Sequence, residues 1–250
     1  MSDAVNEREI EIQTSDGTVD GYIYHPAAQK SSHAVILLPD IASVRPAYRE
    51  SGKRLAALGY VVLLPNVFYR TGKPPALEYP IKIGDEKTMK RMAELKASLS
   101  PDAMERDGLA YVDFVSRQEG VASGVMGVVG YCFTGAMAMR MAAASPAKIA
   151  AAASFHGGGL YTEDPASPHL VLPRIKARLY FGHAVQDRSM PQEAIEKFER
   201  ALAAWGGQYE SETYEGALHS WTTLDSPVYN KPQAERAFSK LAELFRAALQ

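Results

Sequence analysis

The chain has 250 residues, 46% of them apolar and 22% charged, and a net charge of −2. That length can bury a sizeable core, and the charge excludes the basic footprint of a nucleic-acid binder or a polybasic membrane-surface patch. A single cysteine excludes an internal disulfide, and the polar N-terminus lacks a signal-type apolar segment, so a soluble, cytoplasmic protein is expected.

The first elements are strands. EIEIQ and VDGYIYH, separated by SDG, predict an antiparallel hairpin. HAVILLPD (33–40) is a continuous apolar run closed by Pro-Asp, as in a strand buried on both faces. AYRESGKRLAALGY has helical apolar spacing and reaches a plausible C-cap at Gly59. YVVLLPN (60–66) is a second buried strand. Residues 71–100 begin with prolines and continue into the charged amphipathic EKTMKRMAELKASL, after which PDAMERDGLAYVDFVSRQ predicts a helix.

From GVMGVVGY onward strands and helices alternate. FTGAMAMRMAAA is read as a helix, AKIAAAASF and ARLYFGHA as strands, and PQEAIEKFERALAAWG as a helix. QYESETYEG has the alternation of an edge strand, and PQAERAFSKLAELFRAAL closes the chain as a helix. Residues 120–139 carry no charge, but five glycines and the following Arg140 favour a buried strand running into a buried helix over a membrane span. This alternation predicts one α/β domain over residues 1–250, a mostly parallel central sheet with helices on both faces. In such sheets chemistry gathers in the loops after the strands, here those following Pro39, Gly130, Phe181 and Tyr214.

The only cysteine stands in one of those loops. Gly130-Tyr131-Cys132-Phe133-Thr134-Gly135 is close to the nucleophile elbow G-x-S-x-G, with sulfur in place of oxygen and the second glycine one place late. A helix N-terminus beside Cys132 favours a thiolate and a developing oxyanion. A thiol nucleophile needs a base, and the base needs a carboxylate to orient it. Of six histidines, His25 and His33 read as structural, His156 and His169 bracket the glycine-rich FHGGGLYTEDPASPH, and His183 ends a strand. His219 in YEGALHSW follows the last strand, where a base is expected. Asp187 in ARLYFGHAVQDRSMPQEA follows the preceding strand, with Ser189 as the apparent N-cap of the next helix. The chain order Cys132, Asp187, His219 is the α/β-hydrolase order nucleophile, acid, base. His156, His169 and Asp164 match no zinc spacing, so no metal is expected.

With these residues in view, the chain resembles the dienelactone hydrolase family of α/β-hydrolases from HAVILLPD to the last helix. Gly130-Tyr131-Cys132, Gly182-His183 through Asp187, Gly216 to Ser220, and Pro65-Asn66-Val67-Phe68-Tyr69-Arg70 carry the likeness. The resemblance implies a cofactor-independent Cys–His–Asp hydrolase of lactones or esters acting through an acyl-thiol intermediate. It gives Cys132 as nucleophile, His219 as base, Asp187 as its orienter, and the backbone amides of Ile41 and Phe133 as oxyanion donors. It also places a carboxylate against the resting thiol, here Asp40, one methylene shorter than the family's usual glutamate. Where members that bind dienelactone carboxylate have an arginine, this chain has Thr223, so neutral esters are expected over anionic lactones.

Phe68, Tyr69, Arg70 and Trp221 are the expected substrate-binding residues, with a small-molecule ester or lactone as the only partner apart from self-association as monomer or homodimer. The same triad could instead act on thioesters or organophosphate esters. A catalytically silent protein with a redox-sensing thiol is the reading from another class.

Overall fold

The computed structural model describes residues 5–27, 31–78, 81–82 and 84–249. Strands β1 (Val5–Thr14) and β2 (Gly17–Pro26) form the antiparallel hairpin, burying Ile10, Ile12, Val19 and Ile23. β3 (Ala34–Leu38), β4 (Val61–Pro65), β5 (Met126–Tyr131), β6 (Ile149–Phe155), β7 (Arg178–His183) and β8 (Tyr209–Thr213) are mutually parallel. The eight strands make one sheet in the order β1-β2-β4-β3-β5-β6-β7-β8, with β2 antiparallel to β4. β3, β4 and β5 are wholly buried, which is why they read as unbroken apolar runs, whereas the alternating β8 is the exposed edge.

Helices α1 (Pro46–Ala57) and α6 (Lys231–Ala248) cover one face. Helices α2 (Glu86–Ser98), α3 (Pro101–Ser116), α4 (Thr134–Ala144) and α5 (Gln192–Trp205) cover the other. The first face closes tightly where Gly127 of β5 meets Phe245 of α6: a Cβ there would lie 2.5 Å from the phenyl ring. Helix boundaries follow local chemistry. Gly59 adopts a positive φ of 98° just past Leu58, the C-cap of α1. Ser100 caps α3 through the Ala103 N–H, ahead of Pro101. Among the described residues no helix is long and apolar enough to cross a membrane, and no cluster of three or more His, Cys, Asp or Glu could hold a metal ion.

Candidate active site

β5 ends in the turn that carries Cys132, whose φ of 56° lies in the left-handed region. That geometry costs a non-glycine residue free energy, so the surroundings must hold it. They do so from three sides. The Cys132 N–H donates to Phe155 O at 3.1 Å, and the Cys132 carbonyl accepts from Gly135 N at 3.1 Å. The Thr134 hydroxyl lies 3.1 Å from Leu38 O and 3.0 Å from Tyr131 O, and accepts from Tyr131 N at 3.0 Å, stitching β3 to β5 below the turn. The two glycines are there for space. A Cβ on Gly130 would sit 2.1 Å from Thr134 O, and one on Gly135 would sit 2.2 Å from Ser154 Oγ of β6. The late second glycine therefore has a reason: position 135 packs closely on β6, while position 134 carries the hydroxyl that reaches β3.

Asp187 leaves the loop after β7 and is buried. Its Oδ2 accepts from His219 Nδ1 at 2.7 Å, while Oδ1 accepts from Ser189 N at 2.8 Å and Ser189 Oγ at 2.7 Å. Ser189 is thus not the helix cap expected from sequence: the N-cap of α5 is Pro191, and the serine hydroxyl serves Asp187 instead. Burial works against the Asp187 carboxylate, but the hydrogen bonds from His219 and Ser189 prevail and hold it below the usual range. Burial likewise opposes charge on His219, yet the adjoining Cys132 and Asp187 outweigh it and push the imidazole up to about 10. With Nδ1 on Asp187, Nε2 remains for the sulfur of Cys132.

His156, at the end of β6, completes the setting of the imidazole. Fully buried at φ 40°, it packs edge-on to His219 with ring centroids 5.0 Å apart, and its Nε2 lies 2.8 Å from Thr222 Oγ1. Burial first, and the neighbouring His219 second, hold it well below its ordinary value, so it stays neutral. Trp221 packs edge-on behind it, ring centroids 5.2 Å apart.

Cys132, Asp187 and His219 line one cavity of about 1110 Å³, together with Ile41 and Phe133. Neither the Ile41 nor the Phe133 backbone N–H has a protein acceptor among the described residues. The other wall comes from Ile81, Met92, Leu99 and Met104, and from Leu218 and Val228 on either side of His219 in the chain.

The structure places the other expected substrate contacts elsewhere. Arg70 pairs bidentately with Asp107 of α3, both contacts 2.8 Å, and with Asp16 at 2.7 Å; Tyr69 donates to the same Asp107 at 3.0 Å. These side chains fasten the turn after β4 to α3. Phe68 is fully buried beneath Phe133, and Trp221 is fully buried between Tyr214 and His156. None of the four lines the cavity, because each is occupied in holding its loop. Asp40 does reach the cavity wall, but its hydrogen bonds run to Arg45 Nη1 at 2.7 Å, Arg45 Nη2 at 2.9 Å and Ala42 N at 2.9 Å, and none to Cys132. Arg45 also donates to Asp225 at 2.8 Å, joining the loop after β3 to the segment after His219.

Residues 19–249 match the model of the dienelactone hydrolase family. A carboxymethylenebutenolidase of Rhodococcus opacus is 28% identical over 231 residues, 91% of this chain and 86% of its own length. A Synechocystis protein named for the same activity is 25% identical over 251 residues, 96% of each chain. Among solved structures, a Klebsiella pneumoniae protein assigned as a dienelactone hydrolase superposes with a TM-score of 0.86 at 21% identity, covering 97% of this chain and 99% of its own. This chain belongs to the dienelactone hydrolase family of α/β-hydrolases and is a carboxylic ester or lactone hydrolase.

Proposed function

We propose that the chain hydrolyses esters or lactones through an acyl-thiol intermediate on Cys132. The observation that carries this reading is the convergence, in one cavity, of Cys132 on a strained elbow with the hydrogen-bonded His219–Asp187 pair. In this reading the Cys132 thiolate attacks the carbonyl carbon, and the electron pair moves to oxygen, where the Ile41 and Phe133 amides receive it. The tetrahedral intermediate collapses, the alkoxide departs with the proton held on His219 Nε2, and the acyl group stays on sulfur. Water then gives its proton to His219 and its oxygen to the carbonyl carbon. The thiolate leaves, and the acid and alcohol are the products. Asp187 keeps the imidazole in the tautomer with Nε2 toward sulfur and stabilises its charged form. An imidazole pushed up to about 10 suits the first step, since it is charged when the thiolate must be stabilised.

The test is direct. Mixing the protein with an activated aryl ester should place an acyl adduct on the peptide containing Cys132, read by mass spectrometry. Cys132→Ala should lose the adduct and about four orders of magnitude in kcat/KM. An adduct elsewhere, or activity retained by Cys132→Ala, would overturn the assignment.

A further inference from the structure

The mechanism leaves one buried cation of the cavity unused. Arg140, the last charged residue before α4 ends, lines the same space as Cys132, and its side chain is only 7% exposed. Phe133, Ala136 and Arg140 are spaced by three and four residues, so one face of α4 forms the cavity floor from the elbow outward. Seven residues at the helical rise put Arg140 roughly 10 Å beyond Phe133 along that floor. The intervening walls are apolar, with Met92, Leu99 and Met104 among them.

The charges are unevenly distributed along this space. At the triad end the two carboxylates are already committed, Asp187 to His219 and Ser189, and Asp40 to Arg45. At the far end Arg140 is under-compensated. Its nearest carboxylate, Glu105, is taken bidentately by Arg174 at 2.7 and 3.1 Å, leaving Arg140 at 3.6 Å from one of those same oxygens. Its other contact is a neutral acceptor, Ala166 O. Asp102 attracts it more weakly than Glu105. Lys96, on the last turn of α2, lines this cavity too and has no ion-pair partner among the described residues. A buried guanidinium sharing its counter-charge gains from an anion that brings its own.

We propose that the cavity accepts extended esters whose acyl chain ends in a carboxylate, the reacting carbonyl at Cys132, an apolar chain along α4, and the distant anion on Arg140, with Lys96 of the same cavity lining adding positive charge. This deepens the hydrolase reading and rests on it. It also separates two kinds of anionic substrate. Thr223 is buried and off the cavity wall, so the position four residues past His219 offers no cation to a compact lactone whose carboxylate adjoins the reacting carbonyl, and the Arg188 that does border this end is solvent-exposed. An extended substrate carries its charge to the other end, past the apolar stretch.

The experiment compares, on the intact protein, the p-nitrophenyl mono-esters of linear α,ω-dicarboxylic acids with their ω-methyl-ester counterparts over a series of chain lengths. The ratio of kcat/KM, charged over neutral, should stay near one or below for short acids. It should rise to roughly ten- to a hundred-fold once the chain spans the distance to Arg140. Arg140→Met should collapse that maximum, and Lys96→Met should reduce it. Because the length dependence is read on the unaltered protein, the proposal does not depend on Arg140→Met folding. The free long dicarboxylates should also inhibit competitively, and better than the fatty acids of equal length. A flat or falling ratio at every length, with neutral esters still turned over, would overturn this proposal and leave the hydrolase reading standing. Absence of turnover for every ester, together with absence of an adduct on Cys132, would overturn both.

Discussion

Asp40 and Asp187 stand at the carboxyl ends of two parallel strands of one sheet, β3 and β7, with β5 and β6 between them. Both are buried, both bound at each oxygen, and both border the same cavity. Their partners differ in one property. Arg45 cannot release its proton: burial disfavours its charge, but Asp40 and Asp225 hold it even more firmly protonated than usual. His219 can release its proton, because its transition at about 10 lies within reach of a reacting group. A carboxylate on a fixed cation is a brace, here tying the loop with Ile41 to the segment with Asp225. A carboxylate on an exchangeable cation can serve proton transfer. Equal placement in the fold thus leads to different chemistry through the partner alone.

The comparison breaks most visibly in catalysis. His219→Ala should lower kcat/KM by about three to four orders of magnitude and Asp187→Asn by about two to four, measured with a neutral aryl ester. If the two residues serve one step, as proposed, the double variant should be scarcely worse than His219→Ala alone. Fully additive losses would mean that they act on separate steps, and the proton-transfer reading of Asp187 would fail.

Asp40→Asn should act on stability first. Removing one partner of a buried pair costs about 3–5 kcal/mol, and the retained contact from Arg45 to Asp225 places the expected value at the lower end. For a chain of this length that is a fall in melting temperature of roughly 6–12 °C by calorimetry. An unchanged melting temperature with altered alkylation of Cys132 would instead make Asp40 a tuner of the thiol, the role its position suggests.

The same contrast explains what could be read from sequence. The sheet and the order Cys132, Asp187, His219 were legible because buried strands write themselves as unbroken apolar runs, and site residues follow them in the loops. The elbow was legible for its glycines. Arg45 was not, since nothing in IASVRPAYR marks an arginine that turns back five residues to Asp40. Phe68, Tyr69 and Arg70 have the composition of a binding wall, but Asp107, remote in sequence, draws Tyr69 and Arg70 into a brace. Arg140 did carry a signal: a lone charge in TGAMAMRMAAA, seven residues past Phe133. Its meaning depended on knowing that Glu105 was already taken. Partners distant in the chain decide what a charged residue does, and local pattern does not record them.

The smallest effect tests the least obvious member of the site. Ser189 gives Asp187 two hydrogen bonds, from its backbone N–H and its hydroxyl, and Ser189→Ala removes only the second. A single such bond is worth about 0.5–1.5 kcal/mol, so kcat/KM should fall only about two- to ten-fold. The pH dependence should move as well, and its sign follows from the donors. Burial raises the pKa of Asp187, while His219 and Ser189 lower it. Loss of one donor makes the carboxylate easier to protonate, so the acid limb of the rate profile should shift upward, by less than about one pH unit. Ser189→Thr, which keeps a hydroxyl, should restore much of the rate and return the limb. If Ser189→Ala lowers the rate as far as Asp187→Asn does, or if the limb stays fixed while the rate falls, the hydroxyl shapes the loop rather than the charge of Asp187.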